Sequence, residues 1–187
     1  MNLRDYERES IRAFVQKAAD AGYLSGRVLD YGCGRQPYRD IVEAAGGDYQ
    51  AFDAPEHPGN VGGERYTPNM PHVFDAVLCT QVLQYVPQPF QALRHMRSNM
   101  VELNVPKPYD RHLVLTYPTN WPEVEPEDLH RFTKAGMERL LTEAGFAILL
   151  HERRGTLYDA RFPSGREKRI TATADEFAIG YGVVARA

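Results

Sequence analysis

Apolar residues recur along the chain in two alternating rhythms, one near helical spacing and one in short unbroken runs. Between residues 3 and 21, Leu3, Tyr6, Ile11, Phe14, Val15 and Ala18 stand at helical spacing among charged residues, which predicts an amphipathic helix ending near Gly22. Arg27 to Tyr31 is a short apolar run stopped by Gly32-Cys33-Gly34, a strand followed by a glycine turn. A helix is expected from Pro37 to Ala45, with the proline in a first-turn position and Gly46-Gly47 closing it. Tyr49 to Asp53 predicts a second strand. From Glu56 to Val73 the periodicity is lost, and a short strand at Asn60-Val61-Gly62 is the one element expected there. Phe74 to Cys79 and His112 to Tyr117 read as buried strands, while Phe90, Leu93, Met96 and Met100 mark a helix over 89–101. Thr133 caps a helix that Gly145 ends, and Phe146 to His151 and Gly180 to Arg186 complete the strands. Strands alternating with helices at this spacing specify a three-layer α/β domain with a mostly parallel sheet.

A length of 187 residues suits one domain, divided here into an N-terminal helix (1–22), a core (24–152), an insert (153–178) and a last strand (179–187). Lys plus Arg number 22 against 25 for Asp plus Glu, a net charge of −3, which argues against a protein that coats nucleic acid or a membrane with a positive field. No window is apolar enough for a membrane span, and the acidic first residues fit neither a secretory signal nor a transit peptide. With Cys33 and Cys79 as the only cysteines, the expected setting is the cytoplasm, with two buried, reduced thiols and no disulfide framework. The histidines form no ligand spacing, so no metal is expected. Thirteen prolines and fifteen glycines, dense between positions 55 and 126, place many loops around the core.

The most informative residues are Val28-Leu29-Asp30-Tyr31-Gly32-Cys33-Gly34, a strand ending in an acid and running into G-x-G before a helix. Glycines let the backbone turn sharply and let a ligand approach the main chain. Pro37 stands where a dinucleotide fingerprint needs its third glycine, which opposes a nicotinamide oxidoreductase. Asp30 would repel a pyrophosphate and suit an ammonium group, whereas Asp53, ending the next strand, can accept the hydroxyls of a ribose. These residues, with Phe74 to Pro87, His112 to Pro118 and Asp128 to Phe146, resemble the class I S-adenosylmethionine-dependent methyltransferases of the small, single-domain type, over residues 24 to 152. The resemblance implies a Rossmann-like sandwich around a seven-stranded sheet whose last strand is antiparallel. It further implies that S-adenosylmethionine is bound by Asp30, Gly32, Gly34, Asp53, Ala54, Thr80 and Gln81. Two departures stand out: Gln84-Tyr85 replaces the Glu-His found in many relatives, and Pro106-Lys107-Pro108-Tyr109-Asp110 replaces a Lys-Pro-Gly-Gly turn. They are the support for an alternative, a domain that binds the cofactor without catalysing transfer and serves as a sensor or assembly protein.

In an open parallel sheet, ligands lie beyond the carboxyl ends of the strands. The loop after His112 to Tyr117 brings Tyr117 as a residue that positions the acceptor, Trp121 and Arg131 as binding residues, and His130 as a candidate base near neutral pKa. Against this, His130 and Arg131 could equally cap the next helix or pair with the preceding acids. From Arg153 to Arg169 six basic residues face two acidic ones, with Tyr158 interleaved as a further candidate contact, so an anionic O or N acceptor would be attracted there. A small molecule is favoured over nucleic acid, and the plain alternative is a solvated hairpin.

Overall fold

The computed structural model describes residues 3–53, 74–100, 110–122, 128–156 and 178–187. Helix α1 (Leu3–Asp20) buries Ile11, Phe14, Val15, Ala18 and Ala19, one stripe at i, i+3, i+4, i+7 and i+8. Gly22, with φ of 81°, ends it, and the N–H groups of Gly22 and Tyr23 turn back to Ala19 and Ala18. Then come β1 (Gly26–Tyr31), α2 (Arg39–Ala44), β2 (Gly47–Phe52) and β3 (Ala76–Thr80). A single 3-10 turn (Leu83–Tyr85) leads to α3 (Pro89–Ser98), which starts on a proline that needs no donor there. The chain closes with β4 (His112–Pro118), α4 (Lys134–Glu143), β5 (Ala147–Arg153) and β6 (Gly180–Arg186). The Thr133 hydroxyl accepts the Gly136 N–H at 3.0 Å, the cap expected for α4.

The strands order as β2-β1-β3-β4-β6-β5. The first four are parallel, and β6 lies antiparallel between β4 and β5, as expected of a last strand. Among the described residues the sheet has six strands rather than seven. The segment Asn60-Val61-Gly62 lies outside the described residues. Helix α2 begins at Arg39 rather than Pro37, because Gln36 adopts a left-handed φ of 57° and Pro37 and Tyr38 form a turn ahead of the helix. No helix among the described residues is long and apolar enough to cross a membrane.

Alternate strand residues feed two cores. Val28, Leu78, Val114 and Val184 pack with α1 and α2 on one face, while Leu29, Val77, Leu113, Leu115 and Val183 pack with α3 and α4 on the other. Cys33 and Cys79 are buried free thiols, as expected, and burial pushes Cys33 up to about 12.

Arg154, just past β5, fastens α1 to this framework. It is 3% exposed, and its guanidinium donates to Tyr181 O (3.1 Å) on β6, Tyr117 O (3.3 Å) on β4 and Ser10 Oγ (3.0 Å) on α1. Gly180 leaves it room, since a Cβ there would collide with the guanidinium. Burial lowers its pKa to about 10, so it keeps its charge at neutral pH. Arg154 therefore cannot count toward a solvated basic insert. Replacing Arg154 with Met removes three buried charge-assisted hydrogen bonds while the β4–β6 ladder keeps its own, and we expect a loss of about 3 kcal/mol in urea unfolding. Lys, with one ammonium for three directions, is expected to recover less than half of it.

Candidate functional site

Because β1 to β4 are parallel, their carboxyl ends share one edge, and Asp30, Asp53, Thr80 and Pro118 meet there. After β1 the chain turns through Gly32 (φ 79°) and Gly34 (φ 51°). A side chain at Gly32 would strike Val82, so the turn nests against the loop after β3. Next to Gly34, by contrast, the space where a Cβ would project is open. The Gly34 N–H donates to Asp53 Oδ2 at 2.9 Å, tying the turn to the end of β2.

Asp30 is 1% exposed. The Tyr49 hydroxyl donates to its Oδ2 at 2.5 Å, and its Oδ1 has no hydrogen-bond partner among the described residues. Burial raises its pKa to about 7, against the Tyr49 hydrogen bond and with help from the charge of Asp53. A buried acceptor in that state lacks a donor, and an ammonium group, directly or through a water, would supply it and restore the ionised form. This chemistry fits the amino-acid end of S-adenosylmethionine, and the open turn at Gly34 beside Asp53 fits a nucleoside end.

At the end of β3, Gln81 holds a left-handed φ of 56° that a glycine would adopt without cost. Its N–H donates to Thr116 O (3.1 Å) and its Nε2 to Thr116 Oγ1 (3.3 Å), which fixes the side chain beside β4. Tyr38 hydrogen-bonds Thr80, and burial takes the Tyr38 phenol to about 12. Beyond Gln81 opens a cavity of about 240 Å³, lined by Arg4, Glu7 and Arg8 of α1, by Gln81, Gln84 and Tyr85, and by Pro118, Trp121 and Asp128. Burial raises the Glu7 carboxyl above its ordinary range, against the pull of Arg154 and, more weakly, Arg8, Arg131 and Arg4.

Of the residues singled out in the sequence, Asp30, Gly32, Gly34, Asp53, Thr80 and Gln81 lie together along this edge, and Trp121 faces the cavity. Ala54 and Tyr158 lie outside the described residues, as does most of the basic insert. Tyr117 is fully buried, with its hydroxyl 2.7 Å from His151 Nε2 and its ring stacked on Tyr181. His151 in turn meets Glu138 at 2.9 Å, so the Tyr117 side chain faces the α4 side of the sheet. His130 is absent from the cavity wall; its Nε2 is held 3.0 Å from Val86 O, against Phe132. Arg131 makes a two-pronged pair with Asp128 (2.5 Å) and donates to Trp121 O and Pro122 O, so it braces the loop in the manner of the plain alternative above. Sequence reasoning missed Arg4, Glu7, Arg8 and Arg154. The first three looked like the solvent side of an amphipathic helix, and their one signal was two arginines in the opening turns of α1, where the helix dipole disfavours cations.

A family model described as a methyltransferase domain matches residues 3–151. Among curated proteins, none matches the chain in sequence. An S-adenosylmethionine-dependent methyltransferase from Archaeoglobus fulgidus superposes with a TM-score of 0.66 at 16% identity, covering 94% of each chain. The magnesium protoporphyrin IX methyltransferase of Synechocystis PCC 6803, solved with bound S-adenosylmethionine, gives 0.59 at 19% identity over 99% of this chain and 81% of its own. The 1,6-didemethyltoxoflavin-N1-methyltransferase of Burkholderia thailandensis, with S-adenosylhomocysteine bound, gives 0.62 at 17% identity over 95% and 77%. Identities this low speak for the fold, and the family match speaks for the chemistry that the acid-flanked glycine turn is built to serve. On both grounds the chain belongs to the methyltransferase domain family, as an enzyme whose cofactor is S-adenosylmethionine.

Proposed function

We propose that the protein transfers a methyl group to an oxygen or nitrogen atom of a small acceptor lodged between α1 and the loops after β3 and β4. The observation that carries this reading is the continuity of the site. Asp30 and Asp53 flank the glycine turn, Val82 packs against Gly32 of that turn, and Gln81, its neighbour in the chain, lines the cavity. When bound, S-adenosylmethionine supplies a methyl carbon on a sulfonium, activated for in-line displacement.

The residues of this chain do the rest. Asp30 takes the ammonium of the cofactor, Asp53 the ribose hydroxyls and the Gly32 to Gly34 backbone the methionine end, with Ala54 beside the base as the family resemblance implies. Thr80 and Gln81 border the reacting carbon. Tyr85 and Trp121 exclude water from the acceptor, and alignment then supplies most of the rate. An acceptor that arrives protonated must lose a proton, and the carboxylate of Glu7 is the base in the cavity wall. In this reading His130 and Tyr117 support the walls.

S-adenosylhomocysteine is expected to bind the wild type in calorimetry, and Asp53→Ala to weaken that binding at least tenfold; no binding by the wild type would sink the proposal. Asp30, with its folded-state pKa raised to about 7, contributes stability that is full below its unfolded pKa of about 3.9 and is lost as pH rises through 7. An ammonium ligand reverses this by favouring the ionised form. S-adenosylhomocysteine binding should therefore tighten from pH 6 to 8 and release about half a proton at pH 7, read from buffers of different ionisation enthalpy. Asp30→Asn should abolish both effects. For Glu7→Gln, kcat is expected to fall by about 100-fold and to lose the acid limb that the raised Glu7 pKa gives the wild type.

A further inference from the structure

The cavity wall carries more charge than its own side chains satisfy. Asp128 is fully engaged by the two-pronged contact from Arg131, and its side chain is 2% exposed. Arg4 and Arg8 are exposed, stand at i and i+4 on α1, and make no ion pair among the described residues. Like charges at that spacing repel, and Glu7, between them in sequence, is the one acid of the cavity wall that attracts both. Behind them the buried Arg154 adds a further positive charge near Glu7. An anion in the cavity would meet two exposed guanidiniums against a single wall carboxylate that is not already in an ion pair, Glu7. Glu7 stands between the two arginines and would repel a doubly charged group, so a monoanionic carboxylate is the better match than a phosphate.

A second observation is independent of charge. Gln84 is 3% exposed, and its Nε2 donates to Gln81 O at 3.0 Å, which fixes which way the amide points. Its Oε1 is buried and has no partner. An unpaired buried acceptor is unfavourable, and because Gln84 belongs to the cavity wall, a ligand donor reached by a small turn of its amide would satisfy it. Tyr85 and Trp121 supply flat apolar surface, and about 240 Å³ suits a molecule smaller than a drug-sized ligand.

Resting on the reading of this cavity as the acceptor site, we infer that the methyl acceptor is a small aromatic carboxylate that also carries a hydroxyl or N–H group. The carboxylate pairs with the exposed guanidiniums of Arg4 and Arg8, and the hydroxyl or N–H group turns toward the side of the cavity that Glu7, the base, and Gln84 line. A guanidinium pair reads carboxylate geometry in a way that a lysine would not.

The test is calorimetry on the full chain saturated with S-adenosylhomocysteine, using 2-, 3- and 4-hydroxybenzoate and 2-aminobenzoate as probes. Benzoate, which lacks the donor, and 4-hydroxybenzamide, which lacks the charge, are the comparisons. At least one hydroxy or amino acid should bind at least tenfold more tightly than benzoate and the amide. Arg8→Gln and Arg4→Gln should each weaken it at least tenfold while S-adenosylhomocysteine still binds, which shows that the variants are folded. The inference is overturned if S-adenosylhomocysteine binds but none of the acids does, if the amide or benzoate binds as well as the acids, or if both arginine variants bind them normally. Failure of S-adenosylhomocysteine to bind the wild type would instead overturn the reading of the site on which the inference rests.

Discussion

The placement of α1 over the carboxyl edge of the sheet depends on one buried guanidinium. Helix α1 is packed on the sheet by its apolar stripe, but an apolar stripe alone tolerates sliding, because hydrophobic contact has no direction. Exposed pairs from Arg12 to Asp40 and from Lys17 to Glu152 add direction at the surface, and Arg154 supplies it in the interior. Its three hydrogen bonds reach β4, β6 and α1 from a single planar group, so the helix can occupy one axial position relative to the strand ends. That position puts Arg4, Glu7 and Arg8 in the wall of the cavity beside Gln81. Burying a charge without a carboxylate in contact is costly, and the cost is offset by satisfying every nitrogen. The neighbourhood of Glu7, whose own carboxyl is pushed toward the neutral form by burial, belongs to the same compromise.

The edge proposed to hold the cofactor is legible in the sequence because it is built from local chain geometry. Gly32 and Gly34 take positive φ in a turn of a few residues, and Asp30 and Asp53 end strands that any reading of the apolar runs locates. The cavity proposed for the acceptor is not legible there, because it is assembled from segments far apart in the chain. An arginine at position 4 looks the same on a solvent-facing helix as on a cavity wall until the packing partner is known. Arg154 sat in a run of basic residues and gave no sign of being buried. Tyr117 was read as a ligand contact from its place at a strand end, but alternation along β4 sends its side chain into the core between Phe132 and Tyr181. The start of α2 was misplaced for a local reason, the left-handed turn at Gln36, which no propensity of glutamine announces.

The same edge holds two buried polar atoms without partners, Asp30 Oδ1 and Gln84 Oε1, and they lie on either side of Gln81 in the chain. One lies at the strand end beside the glycine turn, and the other belongs to a residue of the cavity wall. Gln81 itself is held in a backbone conformation unusual for its type. Strain and unpaired polarity therefore concentrate where ligands would relieve them, while the two apolar cores on either face of the sheet carry the stability.

The insertion of β6 between β4 and β5 has a consequence for how this protein can diversify. Because β5 and β6 run antiparallel and the bridge between Thr156 and Ala178 continues their pairing, the segment joining them leaves and returns at one point of the sheet. Its length is thus uncoupled from strand register, and each doubling would cost only about 0.6 kcal/mol in closure entropy. Residues can be added to or removed from that connection without shifting the register of a single strand, so the sheet and the connection are free to change independently.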